Sequence, residues 1–534
     1  MNVVILHCHF RRGGVTQVVD NHVAALTDLI DGQIVLVSGG RNDGLSTATR
    51  ERTKQLVIEG FDYDDLTRGE CSRSDFDTDL VMRADRIAGR IATGLASSGF
   101  SSDDTVLHWH NHSLGKNVAA PLVIKTLAAN EGFRQLLQIH DFAEDFRPEN
   151  YLRLVQAAEQ RGQIPFVEDD VNQFCYPNSP LVHYATLTSG DASVLTRLSI
   201  DDARIHLLPN CVTLGEDDLP DPLESLEKVR QSASLPSDAR WCVYPVRGIR
   251  RKNVGEFLLL SRLLPDATYA GITLPPATPI EKDSYQRWRE IGAIVSPKAI
   301  FDAGTFDGLS FHENLAASDF IVSTSVAEGF GMAFLEPWLA DRGVIARRLP
   351  NVVNDFESAG VSLNRFYDSV AIPGDVTWIA DCRRESSEAF IEAWQKLPDL
   401  YGQAWKVDQA DPDRDPKTID FATLTPRRQI EVLTRMSQDL GFENAIKGLN
   451  DGLVDWLSEP FRQSDLDQNR QLIASKYSLQ LSGNRLISIY RGLVENQTCD
   501  SGQGESLAMN ASVVEMICGE RTYFPCRTEW EIAR

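Results

Sequence analysis

The chain lacks the patterns that mark several large protein classes. Its nine cysteines stand far apart, at positions 8, 71, 175, 211, 242, 382, 499, 518 and 526, and no CxxC pair occurs. That excludes the common zinc and thiol–disulfide motifs, and reduced thiols in a cytoplasmic protein are expected. Cys8 and Cys242 sit inside apolar runs, where a buried thiol is the plain reading. No apolar run approaches the roughly eighteen residues of a membrane span. The opening Met1-Asn-Val-Val-Ile runs into a strand pattern without a basic leader, so no signal peptide is expected. Positive charge is scarce: 53 Lys+Arg face 76 Asp+Glu, a formal net charge of -23. A broad nucleic-acid face needs the opposite sign, and binding to anionic lipid is weakened too. There is no GxGxxG, which counts against a nicotinamide or flavin cofactor. A Walker loop, a His-Glu-x-x-His and a Gly-x-Ser-x-Gly elbow are also missing.

What is present is a globular composition, 42% hydrophobic and 24% charged, in a chain of 534 residues. That length suggests two domains and an appendage. Short apolar runs alternate with amphipathic stretches, the sign of βαβ units and parallel sheets. Strands are expected at 3–6, 34–37, 105–108, 136–139, 185–188 and 205–210, with a helix over 16–29. A second series starts at Trp241 and continues with a helix over 253–264, strands at 320–322 and 344–346, and a helix across 332–339. The fold class expected is α/β, two Rossmann-like doubly wound domains with a ligand cleft between them and a helical C-terminal extension. The boundaries are 1–215 for an acceptor-side domain, 216–238 for a polar, proline-broken linker and 239–465 for a donor-side domain. An insertion is placed around 400–425, closing helices at 466–496, and a tail of unknown role at 497–534.

Candidate chemistry gathers at a few strand ends. Glu328 and Glu336 bracket a glycine-bearing loop, Gly329-Phe330-Gly331-Met332, between a strand and a helix. Such a loop offers free amides to an anion, and its glycines let backbone approach a phosphate. Spacing alone leaves an ordinary helix start equally open. Arg247, Arg250, Arg251 and Lys252 put four cations within six positions after the second domain's first strand. They could neutralise a diphosphate, or simply form a solvated turn. Gly13-Gly14 after the first strand is a weak signal. His108, His110 and His112 alternate at one strand end and His140-Asp141 closes another. No complete metal-ligand spacing is visible, so the triplet reads as packing histidines and His140 as the better catalytic candidate. Asn111, His112 and Asp141 are acceptor-side candidates.

Taken in order, these elements resemble the retaining GT-B glycosyltransferases, specifically glycosyltransferase family 4. The resemblance runs from Gly13-Gly14 through His140, the crossover Leu-Pro-Asn-Cys at 208–211, Arg247 with Lys252 and the Glu-x7-Glu of Glu328 and Glu336, to about Asn496. It implies a nucleotide-diphosphate sugar as co-substrate, with no cofactor and no metal, while the acidic balance and the absent membrane signals favour a soluble acceptor. Arg247 and Lys252 would hold the diphosphate, Glu328 the transferred sugar and Glu336 the ribose. The amides of residues 329–332 would line the phosphates, with Gly13 and Gly14 beside them and His140 near sugar and acceptor. The Cys of Pro-Asn-Cys replaces the family's usual glycine. An epimerase-type enzyme, a sugar phosphorylase and a non-catalytic sugar-nucleotide-binding protein are the alternatives.

Overall fold

The structure is a computed structural model describing residues 1–64, 80–159, 168–214, 219–394, 416–495, 517 and 523–528. The chain divides into two compact units. One is built on Met1–Cys211 and Tyr477–Cys518, the other on Val212–Gln395, Trp405–Lys476 and Gly519–Arg534.

The N-terminal unit holds a seven-stranded sheet of β1 (Asn2–Leu6), β2 (Ile34–Ser38), β3 (Lys54–Val57), β4 (Thr105–His110), β5 (Arg134–Ile139), β6 (Val182–Thr186) and β7 (Ile205–Leu207). Its order is β3-β2-β1-β4-β5-β6-β7, and every pairing is parallel. Val3 to Leu6 are fully buried, as expected of a central strand covered on both faces. The edge strand β3 carries no apolar alternation because most of it faces water, so the pattern did not reveal it. On β4 the two-residue period puts Val106, His108 and His110 on one face. Val106 shares a core with Val19 and Val23 of the helix Gly14–Leu26 and with Leu486 and Tyr490 of the helix Leu479–Glu495. The late helix therefore belongs to this unit; at its Gly483 a Cβ would come 2.6 Å from the carbonyl of Ala25.

The C-terminal unit repeats the plan with six parallel strands, β8 (Arg240–Arg247), β9 (Thr268–Leu274), β10 (Ala299–Ile300), β11 (Phe320–Ser323), β12 (Gly343–Arg347) and β13 (Phe366–Tyr367). Their order is β10-β9-β8-β11-β12-β13. In both sheets the order reverses beside the first strand, between β1 and β4 and between β8 and β11. These switch points are where such sheets leave room for ligands.

Three stretches differ from the pattern-based expectation. The supposed linker contains the helix Pro222–Ser232; Asp221 caps it by accepting from the amides of Leu223 and Glu224. The acid and proline that read as linker are its start signal. Residues 418–425 are not a surface insertion: β15 (Thr418–Asp420) pairs antiparallel with β14 (Ala371–Pro373), and Phe421 and Leu424 enter the core. The rest of that expected insertion up to 415, positions 215–218 of the linker and most of the 497–534 tail lie outside the described residues. The helix expected across 332–339 is a 3-10 turn, Met332–Phe334, followed by the single turn Glu336–Leu339. Pro337 fits only a first helical turn, which restarts the helix at Glu336. The six described cysteines are buried and free. No helix among the described residues is long and apolar enough to cross a membrane.

Candidate functional site

The C-terminal switch point gathers the strongest constellation. The loop after β8 folds into a 3-10 turn, Arg250–Lys252, ended by Asn253 in the left-handed region at φ 46°. Thr324, just past β11, donates its hydroxyl to the carbonyl of Lys252 at 2.9 Å, and the Tyr244 hydroxyl, 2.6 Å from that of Ser325, reaches the same carbonyl at 3.2 Å. The amide of Val326 donates to the carbonyl of Arg251 at 2.9 Å. The two loops are thus laced together at backbone level. Lys252 Nζ donates to Glu328 Oε1, with about a tenth of either side chain exposed. Burial raises the Glu328 pKa, but the charges of Lys252 and Arg251 outweigh it and hold the carboxyl below its ordinary value. Burial lowers the Lys252 pKa in turn, with the charge of Glu328 opposing it, and removing one partner would leave the other buried without its counter-charge.

Of the other cations, Arg250 is committed to Glu281 at 3.2 Å. Arg247 is half-buried at the end of β8 and donates to the carbonyl of Pro275 at 3.3 Å. It forms no ion pair with a carboxylate of the described residues. Gly331 sits at φ 83°, where a Cβ would stand 2.8 Å from Phe334 and Val352. Glycine is therefore required on both conformational and spatial grounds. The amides of Gly329, Gly331 and Met332 donate to no described backbone group outside the regular elements, and Phe330 is buried against Phe356. Glu336 has no hydrogen-bond partner among the described residues, and burial raises its pKa to about 7.

The remaining expected residues lie in the N-terminal unit. The loop at Gly13 is extended at φ 176°, and Gly14 opens the helix Gly14–Leu26 with open space where a Cβ would stand. His140 directly follows β5, and its Nε2 lies 2.8 Å from Nδ1 of His110. Burial lowers its pKa to about 4, so the ring is neutral near pH 7. Asn111, at φ 53°, accepts from the amides of His140 (2.9 Å) and Asp141 (3.2 Å), so its Oδ1 is spent on holding that strand end. Asp141 pairs with Arg147 at 3.1 Å. His112, the other acceptor-side candidate, is buried, with Nε2 2.8 Å from the carbonyl of Cys175.

Sequence reasoning missed three features. Tyr244 and Thr324 hold the Lys252 loop but look like ordinary strand residues. Arg347 is buried between Glu256 (2.7 Å) and Asp420 (2.9 Å), a network assembled from distant parts of the chain. Near the chain end, Cys526 packs with Val326 and Ala422 beside the donor-side loop, with Phe524 against them.

No protein-family model matches the chain. Among curated proteins, a mannosylglucosyl-3-phosphoglycerate synthase of Petrotoga mobilis is 27% identical over 364 residues, 67% of this chain and 66% of that protein. The match thus spans a little less than two thirds of the relative's length. Among solved structures, a glycosyltransferase from Rickettsia africae aligns with TM-score 0.51 and 14% identity, over 93% of this chain and 99% of that one. A sucrose-phosphate synthase from Thermosynechococcus elongatus aligns with TM-score 0.50 and 14% identity, over 93% and 100%. The catalytic domain of starch synthase IV from Arabidopsis thaliana, bound to ADP and acarbose, gives TM-score 0.51 at 12% identity, over 92% and 99%. At these identities the likeness establishes the fold, which is the GT-B fold of two Rossmann-like domains.

Proposed function

We propose that the chain is a retaining glycosyltransferase that moves a hexose from a nucleotide-diphosphate sugar to a soluble acceptor. The observation that carries this reading is the buried Lys252–Glu328 pair at the β8/β11 switch point, with Arg247 ending β8. In this reading the diphosphate takes the charge of Lys252 and Arg247 and the amides of residues 329–332. Glu328 then accepts from hydroxyls of the transferred sugar, and Glu336 from the ribose. The bond from the anomeric carbon to the diphosphate breaks, the acceptor oxygen bonds that carbon on the same face, and a leaving phosphate oxygen takes the acceptor proton. Cationic side chains stabilise the departing charge, so no divalent ion is required for transfer. Gly13 and Gly14 bring backbone beside the diphosphate, and His140 stands near the sugar and the acceptor. The buried free thiols suit a reducing compartment such as the cytoplasm.

The relative's name supports a narrower acceptor class, a phosphoglycerate or a glycoside of one. In the N-terminal unit Lys116 lies 5.6 Å from the ring of Tyr63, which also meets His9, while Arg41, 5.5 Å from the same ring, is committed to both carboxylate oxygens of Asp62. Incubating the protein with uridine, guanosine and adenosine diphosphosugars, each with 3-phosphoglycerate and its glucoside, tests both levels. Expected is one glycosylated product with the donor's anomeric configuration retained. Inversion would overturn the stereochemical part. No transfer, no slow donor hydrolysis and no thermal shift across the panel would favour a binding protein.

A further inference from the structure

The sequence reading set aside the histidines of β4 as packing groups, but the fold adds a third residue to them. We propose that His22, His108 and His110 form a three-imidazole site for a divalent transition metal, zinc in the first place, inside the N-terminal unit. Their candidate ligand nitrogens all lie within 4.8 Å of one another, and all three residues are buried. Strand and helix geometry bring them together: the two-residue period of β4 aligns His108 with His110, and the helix Gly14–Leu26 lays His22 over that face.

Four further observations point to a ligand. First, Nδ1 of His22, Nε2 of His108 and Nε2 of His110 are each buried with no hydrogen-bond partner. Leaving such groups unsatisfied costs about 1–3 kcal/mol apiece, and one ion would satisfy all three. Second, the opposite nitrogens of two rings are anchored, Nδ1 of His108 2.7 Å from the Tyr490 hydroxyl and Nδ1 of His110 2.8 Å from Nε2 of His140. Outer partners of this kind fix the tautomer and aim of metal-binding histidines. Third, two imidazoles on a tetrahedral zinc, with Zn–N of about 2.0–2.1 Å, place their ring centres roughly 5 Å apart. The three separations here are 5.4, 5.5 and 4.6 Å. Fourth, the buried Gln138 stands opposite His110 across the β4–β5 pair, so its side-chain carbonyl oxygen is a candidate fourth ligand.

An all-imidazole set without a carboxylate suits zinc, copper or nickel rather than magnesium, calcium or manganese. The ion would clamp β4 to the first helix and, through His110, fix the ring of His140. It takes no part in the transfer step, so the site stands or falls separately from the proposed activity.

The test uses untagged full-length protein. Metal content is measured as purified; the protein is then stripped with chelator and titrated with zinc and with cobalt(II), following the visible cobalt bands and the melting temperature. Expected are one equivalent of metal per chain, the intense cobalt bands of a tetrahedral site and a rise in melting temperature of roughly 5 °C or more. His22→Gln and His108→Gln should each abolish uptake. His183→Gln, in the separate pair of His183 with His206 at 2.9 Å, should leave it unchanged. Absence of stoichiometric uptake by the wild type, with melting indifferent to metal, overturns the proposal and leaves a water-bridged histidine cluster. Uptake that survives both substitutions, or that is lost with His183→Gln, also overturns it. The wild-type measurements decide the matter even if the variants fail to fold.

Discussion

Around its central strands the N-terminal unit buries a cluster of imidazoles, which the C-terminal unit lacks among its described residues; that unit buries ion pairs beside its strands instead. Nine of the ten histidines precede residue 212, the tenth being His312. His7 and His108 are lowered by burial to about 3, His112 and His140 to about 4, and His22 and His110 well below the ordinary value. The other unit buries Lys252 with Glu328, and Arg347 with Glu256 and Asp420. One plan of parallel strands thus tolerates polar interiors of two kinds, one kept neutral and one kept paired. The neutral kind suits ligation and hydrogen bonding; the paired kind suits the handling of a charged ligand.

The largest expected effect separates the two kinds by pH. A histidine whose folded pKa is depressed binds fewer protons folded than unfolded. Its stabilisation is complete above about pH 6.5 and falls as the pH drops toward 4. Each such group contributes up to about 1.4 kcal/mol per pH unit in that window, and several act together. Hydrogen exchange resolved by peptide should show the N-terminal unit losing protection first on acidification. Loss of protection in both units at the same pH would break the comparison.

Next in size is the buried arginine. Arg347→Met should cost about 3–5 kcal/mol in urea unfolding, since it leaves the carboxylates of Glu256 and Asp420 without their cation. Adding Glu256→Leu should recover part of the loss, and simple additivity of the two would contradict the network. Lys252→Ala and Glu328→Ala should each lower turnover by on the order of 2–4 kcal/mol at the transition state with the fold retained. Near-normal transfer by both variants would remove the site assignment.

The smallest effect concerns Glu336. Burial raises its pKa from 4.5 to about 7, so any stabilisation from the neutral form is present below 4.5 and lost as pH rises through 7. Ribose hydroxyls donate to the ionised form, so nucleotide binding should release a proton and tighten by a few-fold between pH 6 and 8. Calorimetry in two buffers reads that proton, and Glu336→Gln should abolish the release.

Much of the fold was legible because buried parallel strands are written as apolar runs, as in β1, β8, β11 and β12. Strand β3 was hidden by its exposure, and β9 by Gly271, whose missing Cβ makes room for Trp241 at 2.2 Å. The loop at 328–336 and the cations after β8 were visible as local patterns, yet nothing local shows that Lys252 pairs with Glu328. The Arg347 network and the packing of Cys526 beside Val326 join positions far apart in the chain. His22 could not be linked to His108 and His110 for the same reason: helix and strand periods say which face a residue takes, not which faces meet.

The most direct measurement is calorimetric titration of uridine, guanosine and adenosine diphosphates into the wild type and into Lys252→Ala. The account predicts one site per chain for at least one of them, with affinity at least 30-fold weaker in the variant, the effect of about 2 kcal/mol. Equal affinity in the two proteins, or no binding of any of the three nucleotides, would contradict it.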